Sequence, residues 1–392
     1  MCETGGRRIT MQLESLFETT FKTPYDAVYQ SPARINLVGE HIDYNGGLVL
    51  PSAISLYIKG YVSKRDDGYI SVYSSNFEDG VSVLVNEIEY NPKYNWANYV
   101  FGVFKILESK GYKIPSGLNI LISSEIPVGS GLSSSAALLV LIFYIVNDQF
   151  KLSSDLKTIA LLAKEVENNF CGVNSGIMDE AAIALGKKNK ALLLDCSTFD
   201  YKYENISLGD YTFVVLKTNK PRKLIESKYN ERVSECQRAL SILKTKYNIS
   251  NLCELKNKDL NEIKYAIKDK LLYGRVRHVI TENERVHEFS YAMKIGDISL
   301  MGSILNASHE SLKKDYEVTG EHLDTIYEAA LEAGAIGARM TGAGFGGCAI
   351  ALISKKDFES FKEKVDKKYF EKLKIHPDVL KVDIVDGPKK IK

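Results

Sequence analysis

The sequence predicts an α+β fold in two lobes, on three observations. Short apolar runs alternate over the first 80 positions, as strands do. The second half carries longer stretches with apolar residues at helical spacing. The two kinds of segment mix without a regular strand–helix–strand repeat, which argues against a doubly wound parallel sheet.

Each element follows in order. Residues 58–63 and 69–74 flank Arg65-Asp66-Asp67-Gly68, and Asp-Gly between alternating runs predicts a hairpin. Residues 119–123 are a further strand. A Gly/Ser segment follows, then an unbroken apolar run at 136–146, longer than most strands, which predicts a buried helix. Across 155–170, Leu156, Ile159, Ala160, Ala163, Val166 and Glu167 fall at helical spacing. Residues 191–195 and 212–216 read as strands. Amphipathic helices are expected over 226–244, 281–293, 296–312 and 321–333, then a strand at 348–353 and a charged helix at 357–373. A last strand, 379–385, could pair with either lobe. The lobe boundary is expected near 196–210, dividing the chain into 1–200 and 201–392. The first few residues and the tail 388–392 are expected to be loose.

Composition excludes several classes. Of 392 residues, 45% are apolar, enough for a sizeable core. Lys and Arg number 51 against 50 Asp and Glu, a net charge of +1. That is neither the basic footprint of a general nucleic-acid binder nor an acidic disordered chain. The apolar run at 136–146 falls short of the roughly 20 residues a membrane span needs. The arginines near the start have no apolar stretch behind them, so no secretory signal is expected. Six cysteines, at 2, 171, 196, 236, 253 and 348, show no metal spacing, and reduced thiols in a cytoplasm are the plain reading. The Asn-X-Ser/Thr triplets at Asn205, Asn248 and Asn306 then carry no weight.

Three segments stand out. The first is Ser31-Pro-Ala-Arg-Ile-Asn-Leu-Val-Gly-Glu-His-Ile-Asp-Tyr-Asn-Gly-Gly47. Arg34, Glu40, His41 and Asp43 bring donors and acceptors to one short stretch, as a polyhydroxyl ligand requires. A solvated turn closed by Asn45-Gly46-Gly47 accounts equally well for the residue types. The second is Pro127-Val-Gly-Ser-Gly-Leu-Ser-Ser-Ser-Ala-Ala137, between a strand and a helix. A Gly/Ser loop at a helix N-terminus offers unpaired N–H groups and the positive end of the dipole, a ready phosphate site. It is neither a Walker A loop nor G-x-G-x-x-G. An ordinary capped helix start is the plainer alternative. The third, Met340-Thr-Gly-Ala-Gly-Phe-Gly-Gly-Cys348, puts four glycines in six residues. A tight turn between helix and strand would explain it alone. Glu167 and Asp179 could supply a Mg²⁺ ligand and a proton acceptor, the two groups a phosphoryl transfer to a hydroxyl needs. By residue type alone they do not stand out from other acidic residues.

In order and separation, the three segments resemble the signature motifs of the GHMP kinase family. Within it the likeness is to the branch that phosphorylates galactose. Gly176-Ile-Met-Asp179, Ala191-Leu-Leu-Leu-Asp-Cys196, Ser227-Lys-Tyr-Asn-Glu-Arg232, His278-Val-Ile-Thr-Glu-Asn283 and Ser308-His-Glu-Ser-Leu extend it, from about residue 20 to 353. The resemblance implies the two-lobed GHMP kinase fold with the active site in the cleft. It implies ATP- and Mg²⁺-dependent phosphorylation of α-D-galactose at the anomeric hydroxyl, to galactose 1-phosphate of the Leloir pathway. Asp179 matches the catalytic carboxylate and Arg34 the arginine beside it. Glu40, His41, Ile42, Asp43, Gly176 and Tyr229 match the sugar site. Gly129, Ser130, Gly131, Leu132, Ser133, Ser134 and Ser135 match the ATP loop, and Ser74 a nucleotide contact. Ser135 and Glu167 match the Mg²⁺ ligands.

The sequence departs from that pattern at Ala33, Ile42, Ser175, Glu180 and Val233, where glycine, threonine, cysteine, glutamine and a basic residue are usual. Ile42 and Glu180 would border the sugar pocket, and Glu180 adds a carboxylate beside Asp179. The implied partners are small molecules, with no nucleic acid and no membrane, and a monomer in the cytoplasm is expected. A sugar 1-kinase for N-acetylgalactosamine or arabinose is the nearest alternative. A non-catalytic galactose sensor is a further one, disfavoured because the Ser135-Ala136 pair is intact.

Overall fold

A computed structural model describes residues 2–127, 129–173, 175–220 and 225–392. In chain order the strands are β1 (Ala27–Asn36), β2 (Leu48–Val49), β3 (Pro51–Arg65), β4 (Tyr69–Ser74), β5 (Asp79–Leu84), β6 (Gly117–Ser124), β7 (Lys190–Asp195), β8 (Tyr201–Asn205), β9 (Tyr211–Lys217), β10 (Gly337–Thr341), β11 (Cys348–Ser354), β12 (Asp378–Lys381) and β13 (Lys389–Lys390). The helices are α1 (Cys2–Phe21), α2 (Ala97–Ser109), α3 (Ser134–Phe150), α4 (Leu156–Glu165), α5 (Met178–Ala184), α6 (Ile225–Leu243), α7 (Leu260–Ala266), α8 (Lys270–Ile295), α9 (Ile298–Ser311), α10 (Gly320–Glu332) and α11 (Phe358–Leu373).

The first half is built on a six-stranded sheet in the order β13-β1-β3-β6-β4-β5. Helix α3 is apolar on every side, so it buries on every side, and it packs on β1 and β3 with α2, α4 and α5 around it. The second half is built on a four-stranded antiparallel sheet, β10-β11-β9-β12, which α10 flanks. The long helix α8 runs between α6 and α9. A small sheet, β2-β7-β8, joins the segment after the first motif to residues 190–205.

The expected hairpin at residues 65–68 is not one. Strand β6 lies between β3 and β4, and β4 runs parallel to it. The Asp-Gly bend sets a local turn, but the chain then crosses the start of β6 instead of folding back on β3. Gly117 permits that crossing, since a Cβ there would stand 2.1 Å from the Tyr69 carbonyl oxygen. Arg65 braces it, holding Asp67 Oδ1 at 2.9 Å and Asn119 Oδ1 of β6 at 2.7 Å.

Both chain ends also differ from expectation. The first residues form α1, whose Leu13 and Phe17 pack with Val28, Tyr61 and Leu121 of the large sheet. The last strand serves both halves. Strand β12 pairs with β9, Ile384 then bridges to Ile54, and β13 pairs with β1. Lys392 N–H closes the tail on the Val28 carbonyl at 3.3 Å.

Candidate active site

A cavity of about 200 Å³ opens between the two halves. Its walls include Arg34, His41, Asp43 and Asp179 from the first and Tyr229 and Ala343 from the second. Strand β1 shifts register between Pro32 and Ala33, an irregularity of the kind that re-aims the side chains beyond it. Arg34, next along, is buried and grips Asp179 with two parallel bonds, Nε to Oδ1 at 2.7 Å and Nη2 to Oδ2 at 2.8 Å. Its third arm, Nη1, holds the Gly131 carbonyl at 2.8 Å. Asp179 stands in the first turn of α5 with its side chain 31% exposed, toward the cavity.

The Gly/Ser loop reaches the same carboxylate. Ser133 is the N-cap of α3 in a left-handed conformation, φ +60°, yet its hydroxyl caps nothing. It donates instead to Asp179 Oδ2. The start of α3 therefore lacks an N-cap side-chain bond. Gly129 and Gly131 have positive φ, while Ser130 and Leu132 are buried. The third segment meets this loop at Gly342, where a Cβ would stand 2.5 Å from the Gly131 carbonyl oxygen.

Glu40, His41 and Asp43 differ in their surroundings. Glu40 is buried and bonded on both oxygens, to the Arg339 guanidinium and to the Gly342 N–H at 3.0 Å. His41 is enclosed, and burial pushes its imidazole down to about 3, so it is neutral. Its Nε2 faces the Ala343 carbonyl at 3.3 Å and carries the proton, because a carbonyl only accepts. Its Nδ1 then accepts from Tyr44 Oη at 2.9 Å, whose oxygen meets Tyr316 Oη at 2.7 Å. The Tyr229 ring leans on His41, with centroids 5.7 Å apart.

Asp43 opens on the cavity, and Gly176 lies so close that a Cβ would touch its carboxylate. Burial, then the charge of Asp179, raises the Asp43 carboxyl from 3.8 to about 6. An acid raised on folding is protonated below that value and ionised, at a cost, above it. Two results are expected. Calorimetric affinity for the sugar should fall about tenfold from pH 7 to pH 5 as this acceptor is lost. Asp43→Asn should raise Tm at pH 7 but not at pH 4, where the native carboxyl is already neutral. A pH-independent affinity would remove Asp43 from the ligand's contacts.

Glu167 sits in one π-helical turn, Val166–Phe170, that continues α4. It is buried at the cavity edge, and burial raises its carboxyl while the Ser175 and Ser135 hydroxyls oppose that shift. Glu180 was expected at the sugar pocket but is wholly buried behind it. Burial, then the charges of Glu167 and Asp179, holds its carboxyl well above the ordinary value. Buried outside the cavity walls, it places no second carboxylate in the cavity beside Asp179. Ile42, also expected beside the sugar, turns its fully buried side chain into the core, close against Gly47. Ser74 lies outside the cavity walls, and its hydroxyl accepts from the N–H groups of Asn76 and Phe77 at 3.3 and 3.4 Å.

Some contributors were not singled out from sequence. Arg339 is a lone charge in an apolar strand beside the third segment, a signal that could have found it. Tyr44 lay within the first segment. Tyr316 lies 272 positions from the Tyr44 it bonds, and no local pattern marks it.

Fold and cavity together define a small-molecule kinase of the GHMP type. The models for the GHMP kinases N terminal domain and the GHMP kinases C terminal match residues 98–187 and 289–372. The galactokinase galactose-binding signature matches residues 15–64. A galactokinase of Staphylococcus carnosus is 45% identical over 97% of this chain and 99% of its own. One of Clostridium acetobutylicum is 44% identical over 98% and 99%. The crystal structure of Lactococcus lactis galactokinase complexed with galactose superposes with a TM-score of 0.95 at 41% identity, over 98% of this chain and 100% of that one. A mevalonate kinase, at 21% identity and a TM-score of 0.66, shares the fold. The chain belongs to the galactokinase family.

Proposed function

We propose that the chain transfers the γ-phosphoryl group of ATP to O1 of α-D-galactose, with Asp179 as base and Arg34 as its partner. The observation that carries this is the Arg34–Asp179 pair, joined through Ser133 to the uncapped start of α3. Asp179 takes the proton of the anomeric hydroxyl as the new O1–P bond forms. The bond from Pγ to the β,γ-bridging oxygen breaks, and ADP leaves. Arg34 keeps the carboxylate oriented and offsets charge that develops on the phosphoryl oxygens. The backbone of Gly129, Ser130, Gly131, Leu132, Ser133 and Ser134, at a helix N-terminus, suits phosphate. Glu40, His41, Asp43, Tyr229 and the backbone of Gly176 would hold the sugar. Ser74 is assigned to the nucleotide on family likeness alone.

The donors fit Mg²⁺. Among the described residues no group of three or more His, Cys, Asp or Glu could hold a metal ion. Mg²⁺, however, favours one or two protein oxygens completed by substrate phosphates. The Glu167 carboxylate and the Ser135 hydroxyl face each other at the edge of the loop. Bound there, the ion would neutralise phosphate charge. Ser135→Ala should raise the Mg²⁺ concentration for half-maximal rate several-fold at unchanged galactose KM. An unaltered Mg²⁺ dependence would place the metal elsewhere.

We further propose a monomeric, cytoplasmic enzyme without nucleic-acid or membrane partners, divided at 1–200 and 201–392. Support comes from the +1 net charge. It also comes from the unbridged thiols of Cys171, Cys196, Cys236 and Cys253. Among the described residues no helix is long and apolar enough to cross a membrane. The deciding experiment is ADP release with Mg²⁺-ATP against galactose, glucose, N-acetylgalactosamine, arabinose and no sugar. Turnover on galactose well above the rest is expected. Preference for another sugar would keep the mechanism and change the substrate. Binding without turnover on any sugar would make the chain a sensor.

A further inference from the structure

Residues 278–283 and Ser308 take no part in the chemistry above, yet they converge on the turn that presents Glu40 and His41. That turn is strained. Gly39 has φ +97° and His41 +62°, two left-handed residues within three positions. A Cβ at Gly39 would stand 2.7 Å from the Leu48 carbonyl oxygen. The N–H groups of Gly39 and Glu40 both donate to Glu282 Oε1 of α8, at 2.9 and 3.2 Å. Successive N–H groups in such a conformation form a nest for an anion, and here the anion is a side chain of the same protein.

Glu282 is fully buried. Burial opposes its charge, but the charge and hydrogen bond of Arg285, with the Ser308 hydroxyl, outweigh it, and the carboxyl lies below its ordinary value. Arg285 Nε donates to Oε2 at 2.6 Å, and Ser308 Oγ to Oε1 at 2.7 Å. The same helix face adds two bonds to the turn. His278 Nε2 meets the Glu40 carbonyl at 3.0 Å, and Asn283 Oδ1 accepts from Leu48 N–H at 2.9 Å.

We propose that Glu282 is a positioning residue for sugar binding, its carboxylate filling the Gly39–Glu40 nest and fixing how Glu40 and His41 face the cavity. The proposal rests on the galactose reading above. Its test uses the full chain with Glu282→Gln, which keeps the volume and removes the anion, and with Ser308→Ala as a milder second variant. Steady-state kinetics are paired with deuterium exchange of a peptide covering residues 37–47. Glu282→Gln is expected to raise galactose KM about tenfold or more, with kcat and ATP KM within about twofold. Ser308→Ala should move galactose KM the same way by roughly threefold. Exchange in 37–47 should quicken while that of β6 stays unchanged. An unchanged galactose KM in both variants, an equal rise in both KM values, or exchange quickening throughout the molecule would overturn the proposal. If the wild-type chain turns over no galactose, the galactose reading fails instead, and exchange at 37–47 still decides whether Glu282 holds the turn.

Discussion

Asp179→Asn is expected to lower kcat by about 10³-fold while galactose still binds. The two side chains have nearly the same shape, so the cavity keeps its walls. The difference lies in charge and in lone pairs. Asp179 accepts at once from Arg34 Nε, Arg34 Nη2 and Ser133 Oγ. An asparagine offers one acceptor oxygen and turns an NH₂ toward one of those donors. It cannot take a proton from the sugar, and it leaves a buried guanidinium without its counter-charge. A modest fall in Tm should therefore accompany the loss of rate. Single-turnover phosphoryl transfer and galactose calorimetry separate the two effects. Transfer at the wild-type rate would remove Asp179 from the role of base.

Glu40→Gln is expected to be the most destabilising single change at the site. Arg339 is wholly buried, among the described residues its Nη1 has no hydrogen-bond partner, and Glu40 is the carboxylate it pairs with. Burial, then the like charge of Arg34, weighs against the guanidinium. Removing one member of a buried pair typically costs about 3–5 kcal/mol, because the other charge stays behind. A fall in Tm of about 5 °C should follow. The double variant Glu40→Gln with Arg339→Met should recover much of that stability and none of the galactose affinity. Recovery of both would mean that Glu40 serves the fold alone.

Much of the site was legible because its chemistry is local. Arg34 to Asp43 lie within ten positions, and the Gly/Ser loop announces a helix start by its composition. What sequence reasoning lost is what tertiary packing decides. The Asp-Gly bend after Arg65 signals a reversal, but the partner of β3 is chosen by β6, which lies 50 residues further on. Ser133 belongs to an apparent phosphate loop, and only the structure shows its hydroxyl on Asp179. Glu180 sits next to Asp179 in sequence, yet on a helix adjacent positions face different ways, and it turns into the core. Ile42 parts from His41 and Asp43 for another reason: it lies in the turn before a short 3-10 helix, whose backbone sends its side chain into the core. Tyr316 and Glu282 reach the first motif from more than 240 positions away, by contacts no window could contain.

The path of the last fifteen residues bears on how the cavity can open. The chain passes into the four-stranded sheet between β8 and β9 and returns after β12 to pair with Ile54 and then β1 of the six-stranded sheet. Two covalent spans therefore join the same two bodies, as two pins join the leaves of a hinge. A body held at one point can swing and twist in several directions, whereas one held at two keeps mainly the rotation about the line between them. Any opening of the cleft would thereby be steered along a single arc, and closing would return Tyr229 and Ala343 to the same station over Asp43 and Asp179.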